Sequence, residues 1–154
     1  MDTGRPNYLE AIVARLNKNY VGLLPCTIEE VNQLETSLQI KLPEAYREYL
    51  LTMGKYSGKI NEGTDCFYDD LIRIQAWPKE LLKENSIQDE LPSDAFIFSM
   101  HQGYEFWYFR ISEGDNPPVY GFHEGEDDPQ LLVAQFPTFT DYILTLMDAF
   151  KVPE

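Results

Sequence analysis

Residues 27–54, TIEEVNQLETSLQIKLPEAYREYLLTMG, decide the fold. They read as two helices joined at Leu42-Pro43. Thr27 followed by Glu30 is a capping-box pattern: the hydroxyl accepts from a free backbone N–H and the carboxylate reaches back to the cap. Ile28, Val31, Leu34 and Leu38 recur at helical spacing, which predicts one apolar stripe against a core. Ile40 and Leu42 continue the burial in extended form, because a proline disfavours helix at the residue before it. Pro43 suits the start of the second helix, and Glu44 is favourably placed at the positive end of its dipole. Tyr46, Tyr49, Leu50 and Met53 make its inner face, and Gly54 is the expected stop.

Working outward, residues 1–6 are polar and read as frayed, with Pro6 suited to the first turn of a helix. Tyr8, Leu9, Ile12, Val13 and Leu16 predict a helix over 7–19. Residues 55–65 read as a loop. Residues 66–75, with Phe67-Tyr68 and Leu71-Ile72-Ile74, read as a strand, and Trp77-Pro78 opens a short helix to about residue 85. Residues 95–100 fit a buried strand, and His101-Gln102-Gly103 a turn. Residues 105–111, EFWYFRI, are the most β-prone segment. Both faces of that strand are largely apolar, which predicts a central strand covered on each side. A strand follows at 118–123, then the acidic loop EGEDDP at 124–129 and a short strand at 131–134. Thr138 or Thr140 begins a last helix with Phe139, Tyr142, Ile143, Leu146 and Phe150 inward. Helices, then strands, then one helix make an α+β fold: N-terminal helices, a largely antiparallel meander and a C-terminal helix. No repeat or linker interrupts it, so 1–154 reads as a single domain.

Charge bounds the function. Asp and Glu number 26 and Lys and Arg 12, a net charge of −14. Such a surface repels nucleic acid and anionic lipid, so neither is expected as a partner. It favours basic partners and speeds their encounter; it also simply keeps a protein soluble. The 10 Tyr, 9 Phe and 2 Trp argue against disorder. Cys26 and Cys66 form no disulfide framework or metal spacing, which points to a reducing compartment, the cytoplasm. The N-terminus has no apolar signal core, and no apolar run approaches the ~18 residues of a membrane span.

Catalytic chemistry finds little support. There are two histidines, no Gly-rich phosphate loop and no zinc motif. His101 lies two residues from Ser99 on one strand, which makes no triad by itself. His123 with Glu124, Glu126, Asp127 and Asp128 offers oxygens to a cation, but lacks the spacing and bracing of a calcium loop. Asp69 and Asp70, adjacent in a strand, would point to opposite faces. Cys66 has no basic neighbour to lower its pKa. The reading is a protein with no enzymatic activity, no cofactor and no metal.

The pattern of residues 27–54 resembles the SUKH superfamily, a group named partly for a fungal cell-wall-synthesis regulator. The residues that carry it are Ile28-Glu29-Glu30-Val31, Leu34-Glu35, Leu38, Ile40, Leu42-Pro43, Tyr46, Tyr49-Leu50 and Gly54. The later half is also similar: an apolar strand, a turn, an aromatic strand, Pro118-Val119-Tyr120, an acidic loop and a terminal helix entered through Phe139-Thr140. The likeness spans residues 27–150. Where many members have a Gly-Asp-Gly-like turn before the aromatic strand, this chain has His101-Gln102-Gly103-Tyr104. The resemblance implies a non-enzymatic fold. Bacterial members are typically immunity proteins that bind and block a cognate polymorphic toxin, and many such toxins are nucleases. Fungal members are regulators that contact several partners.

That implication gives the carboxylates a use. A nuclease needs a positive groove for phosphates, and an inhibitor can fill it with carboxylates. The candidate partner contacts are Asp69, Asp70, Glu113, Asp115, Glu124, Glu126, Asp127 and Asp128, with Tyr104 and Tyr120 as aromatic anchors. Glu62, Asp65, Trp107 and Tyr108 are secondary candidates. Trp107 and Tyr108 point to opposite faces of one strand, so at least one belongs to the core. For the acidic loop, partner contact stands beside plain solvation. For Tyr46, Tyr49 and Phe106, core packing is the reading.

Overall fold

The computed structural model describes residues 7–19 and 22–154. The expectations for residues 1–6, Pro6 included, lie outside the described residues. Ten elements follow in order: α1 (Glu10–Asn19), α2 (Ile28–Leu38), α3 (Glu44–Met53), β1 (Thr64–Asp65), α4 (Leu71–Ile74), α5 (Trp77–Glu84), β2 (Ala95–His101), β3 (Glu105–Arg110), β4 (Tyr120–His123) and α6 (Phe139–Ala149). The four strands form one antiparallel sheet in the order β1-β2-β3-β4. This is the expected α+β fold with a β2-β3-β4 meander; α4 and α5 fall between β1 and β2, and α6 follows the sheet.

The capping box at α2 forms in full. Glu30 N–H donates to Thr27 Oγ1 at 3.1 Å, and Thr27 N–H donates to the Glu30 carboxylate at 2.9 Å. Val31 and Leu34 are buried, whereas Ile28, in the first turn, is 44 % exposed and does not join the stripe. In α3 all four predicted inner residues are buried. Gly54 is the stop of α3, as expected, and caps it in right-handed geometry (φ −66°). Its reason is space: a Cβ there would lie 2.5 Å from Cys26 Sγ.

The core centres on Tyr46. Its ring meets Phe96, Phe109 and Phe139 edge-on, at centroid distances of 5.4, 5.2 and 5.4 Å, and stacks on Tyr49 at 5.6 Å. One face of the sheet therefore packs on α3 and α6. Phe106 and Tyr108 point to the other face, where the Tyr108 hydroxyl donates to the Leu131 carbonyl at 2.7 Å. Both faces of β3 are covered, as the aromatic run requires.

The two long strand edges are also closed, which removes a template for unwanted pairing. A bulge interrupts β2 between Ile97 and Ser99, and the side-chain amide of Gln75 bonds both backbone groups of Ile97, at 2.7 and 3.0 Å. At β4, residues 135–136 bond Val119, and the Gln135 amide donates to the Gly121 carbonyl at 3.1 Å. Gly121 is required by close approach, because a Cβ there would stand 2.3 Å from the Trp107 ring.

Four segments differ from expectation: the first, residues 55–65, read as a loop, ends in the short strand β1, paired with Met100 and His101. Residues 66–75 are not a strand but a 3-10 turn at Tyr68–Asp70 followed by α4. Leu71 and Ile74, three apart, are buried and Ile72 is exposed, which is helical spacing. Residues 131–134 are turns; only Leu131 of them is buried, and the chain bridges to Val119 at Phe136 instead. In α6, capped by Thr138, Met147 takes the inward place expected of Phe150, which is 38 % exposed.

Candidate functional site

One end of the sheet gathers Tyr104 and four of the eight predicted acidic contacts. The β2–β3 connection turns through Gln102 (φ 48°) and Gly103 (φ 78°), and Tyr104 N–H donates back to the His101 carbonyl at 3.1 Å. Two successive residues with positive φ suit the twist of an antiparallel pair. Tyr104 then sits edge-on between the imidazoles of His101 and His123, at 5.5 and 5.2 Å. Its carbonyl accepts from Glu124 N–H at 2.8 Å, which pins the start of the acidic loop beside the turn. Gly125 (φ 92°) carries the chain round, and Glu124, Glu126, Asp127 and Asp128 are all exposed. Among the described residues, none of these four carboxylates pairs with a lysine or arginine.

The remaining candidates lie elsewhere. Glu113, Asp115 and Tyr120 are at the opposite end of the sheet, since Tyr120 pairs with Tyr108 and His123 with Glu105. At ~3.4 Å per residue, the length of β3 separates the two ends by roughly 17 Å. Tyr120 is not an exposed anchor. It is 9 % exposed, stacks on Tyr108 at 5.1 Å, and its hydroxyl donates to the Glu113 carboxylate at 2.7 Å. Asp115 is exposed, and its backbone carbonyl accepts from Ala45 N–H at 2.9 Å at the start of α3. Asp69 and Asp70 form a third group on the 3-10 turn, not on a strand. Asp70 is paired with Arg73 at 2.9 Å, while Asp69 is exposed. Of the aromatic pair on β3, Tyr108 is core and Trp107 is half-buried.

Sequence reasoning missed a cleft of about 320 Å³ beside this end of the sheet. It lies between β3 and the last turns of α6. Glu105, Trp107, Phe136, Leu146 and Phe150 line it, with Asn61 and Thr64 at its margin. The residues come from segments far apart in the chain, so no local pattern announces it. Phe150 keeps the helical spacing of the buried face, three residues after Met147, so its 38 % exposure at the cleft gave no signal in the sequence.

The residues of the helical motif serve one another. Glu35 of α2 accepts from the Leu42 backbone N–H at 2.7 Å and pairs with Arg47 of α3. The carboxylate thus clamps the Leu42-Pro43 step between the two helices. The model of the SMI1 / KNR4 family (SUKH-1) matches residues 25–145 of the chain, a range that includes this motif. The chain belongs to this family. The SUKH family includes immunity proteins and SMI1/KNR4 regulators, and its members are generally non-catalytic. No curated protein matches the chain in sequence.

In this SUKH-1 chain the thiols are unactivated. Burial, then the nearby Glu30 carboxylate, pushes Cys26 up to about 11, and burial raises Cys66 further. Both cysteines are free and buried. Among the described residues, no cluster of His, Cys, Asp and Glu is arranged to hold a metal ion, and no helix is long and apolar enough to cross a membrane.

Proposed function

We propose that this chain is an immunity protein that binds and neutralises a bacterial toxin domain, a basic nuclease, in the cytoplasm of the cell that makes it. The observation that carries the proposal is the row of exposed carboxylates at Glu124, Glu126, Asp127 and Asp128, unpaired among the described residues and pinned beside Tyr104. The family and the net charge of −14 support it. A nuclease groove built to neutralise phosphates presents the complementary charge, and occupying it blocks substrate entry. Of the separate acidic groups, the end bearing Tyr104 and the 124–128 loop is the proposed contact. Asp69, Glu113 and Asp115 then form a periphery that contributes through long-range charge. On this reading residues 1–154 act as one domain, without cofactor or metal.

The test is co-expression with a toxin domain encoded beside the gene. Growth is rescued if the reading is right; cells that die as fast with the protein as without it overturn it. The family's regulators support a second reading, an intracellular scaffold with several protein partners. A pull-down that returns several host proteins and no toxin favours the scaffold.

A further inference from the structure

The cleft beneath α6 combines three properties. Its walls are mainly apolar, built by Trp107, Phe136, Leu146 and Phe150. Its one carboxylate is Glu105, half-buried; among the described residues no lysine or arginine lines the space with it, and the imidazole that does, His101, is hydrogen-bonded through Nδ1 to Thr64 Oγ1 at 2.8 Å. Among the described residues Glu105 has no ion-pair partner. One wall is the C-terminal end of α6, whose last turn contains no basic residue, so the negative end of the helix dipole adds to the field of Glu105. A lone carboxylate at an apolar slot selects a cation carried on an apolar stem.

We infer that this cleft takes an arginine side chain from a basic protein partner. The methylenes lie along Leu146 and Phe150, and the guanidinium reaches Glu105 beside the Trp107 ring. Arginine fits better than lysine because its planar, weakly hydrated head both stacks on an aromatic ring and pairs with a carboxylate. The volume suits one side chain and excludes a helix. The inference rests on the proposal that the chain binds a basic protein, and it places a specific anchor next to the acidic loop that attracts that partner.

The test needs no partner. Isotope-labelled full-length protein is titrated with Nα-acetyl-arginine amide while NMR follows the Trp107 indole N–H and the Glu105 and Leu146 amides. These signals are expected to move together, and the Trp77 indole, exposed but outside the cleft, to stay still. Glu105→Gln is expected to weaken binding roughly two- to fivefold, the effect of a partly exposed ion pair. Thr145→Arg, at an exposed α6 position lining the cleft, is expected to fill it from within and abolish the response. Circular dichroism of each variant confirms that it is folded.

Equal binding of the citrulline or norleucine amide overturns the inference and marks an apolar slot for a second copy or a neutral side chain. Equal binding of the lysine amide overturns the guanidinium assignment. Equal movement of both indoles, or none, overturns the site. Failure here leaves growth rescue by the acidic loop intact, and failure of rescue leaves arginine binding measurable, so the two outcomes are separable.

Discussion

The helical motif, residues 27–54, and the loop after β4, residues 124–128, both carry several carboxylates and treat them differently. In the helical motif three of the five carboxylates are committed: Glu30 caps α2 and pairs with Lys55 at 2.8 Å, Glu35 holds Arg47 and the Leu42 amide, and Glu48 accepts from the Tyr8 N–H at 3.2 Å. At the end of the sheet Glu124, Glu126, Asp127 and Asp128 face solvent with no cationic partner among the described residues. The first set belongs to the fold, where removing a partner strands a polar group. The second contributes little to the fold and is left available. A carboxylate that identifies the family is therefore not, by that fact, a carboxylate that meets a partner.

Substitutions can break this contrast, and the largest effect is expected in the core. Tyr46→Ala empties the centre of the aromatic cluster and should cost about 3–5 kcal/mol in urea unfolding. Tyr46→Phe should be neutral or stabilise by up to about 1 kcal/mol, because among the described residues the Tyr46 hydroxyl is the one buried side-chain polar atom without a hydrogen-bond partner. Next comes Glu35→Ala, which leaves Arg47 and the Leu42 N–H unpaired and should cost about 2 kcal/mol.

A third effect is smaller and depends on pH. Burial raises the Asp94 carboxyl, but hydrogen bonds from Ser112 and Arg110 outweigh it and bring it down to about 2. Its folded pKa is depressed, so its contribution is complete above the unfolded value near ~4 and is lost as pH falls through 2. Asp94→Asn should lower stability by on the order of 1 kcal/mol at neutral pH, and the gap from wild type should narrow from pH 4 to pH 2. The smallest effect belongs to the loop. Neutralising Glu126, Asp127 and Asp128 together should change the unfolding free energy by less than about 0.5 kcal/mol, towards greater stability as repulsion eases.

Much of the fold was legible because its signals are local. The Thr27–Glu30 cap, the Leu42-Pro43 break and the aromatic run of β3 each name an element without reference to the rest of the chain. Residues 66–75 were misread because Leu71-Ile72-Ile74 suits a strand by composition; only the i, i+3 burial of Leu71 and Ile74 separates the two. Leu131-Leu132-Val133 looks like a strand too, but the edge of β4 is taken by Gln135 and Phe136. Of the candidate site, the exposed acidic loop was legible, because charge and glycine mark a solvated turn. The burial of Tyr120, the pairing of Asp70 with Arg73 and the cleft at Glu105 were not, because each depends on tertiary neighbours.

The central claim is that the loop after β4 does the binding while the helical motif keeps the fold. Its most direct test is the association rate with the toxin domain encoded beside the gene, measured at low and high salt for wild type and for Glu126→Lys/Asp127→Lys/Asp128→Lys. The account predicts that the reversed chain melts at the wild-type temperature, associates roughly tenfold more slowly and loses most of its salt dependence. A reversed chain that associates as fast as wild type, with the same salt dependence, would contradict it.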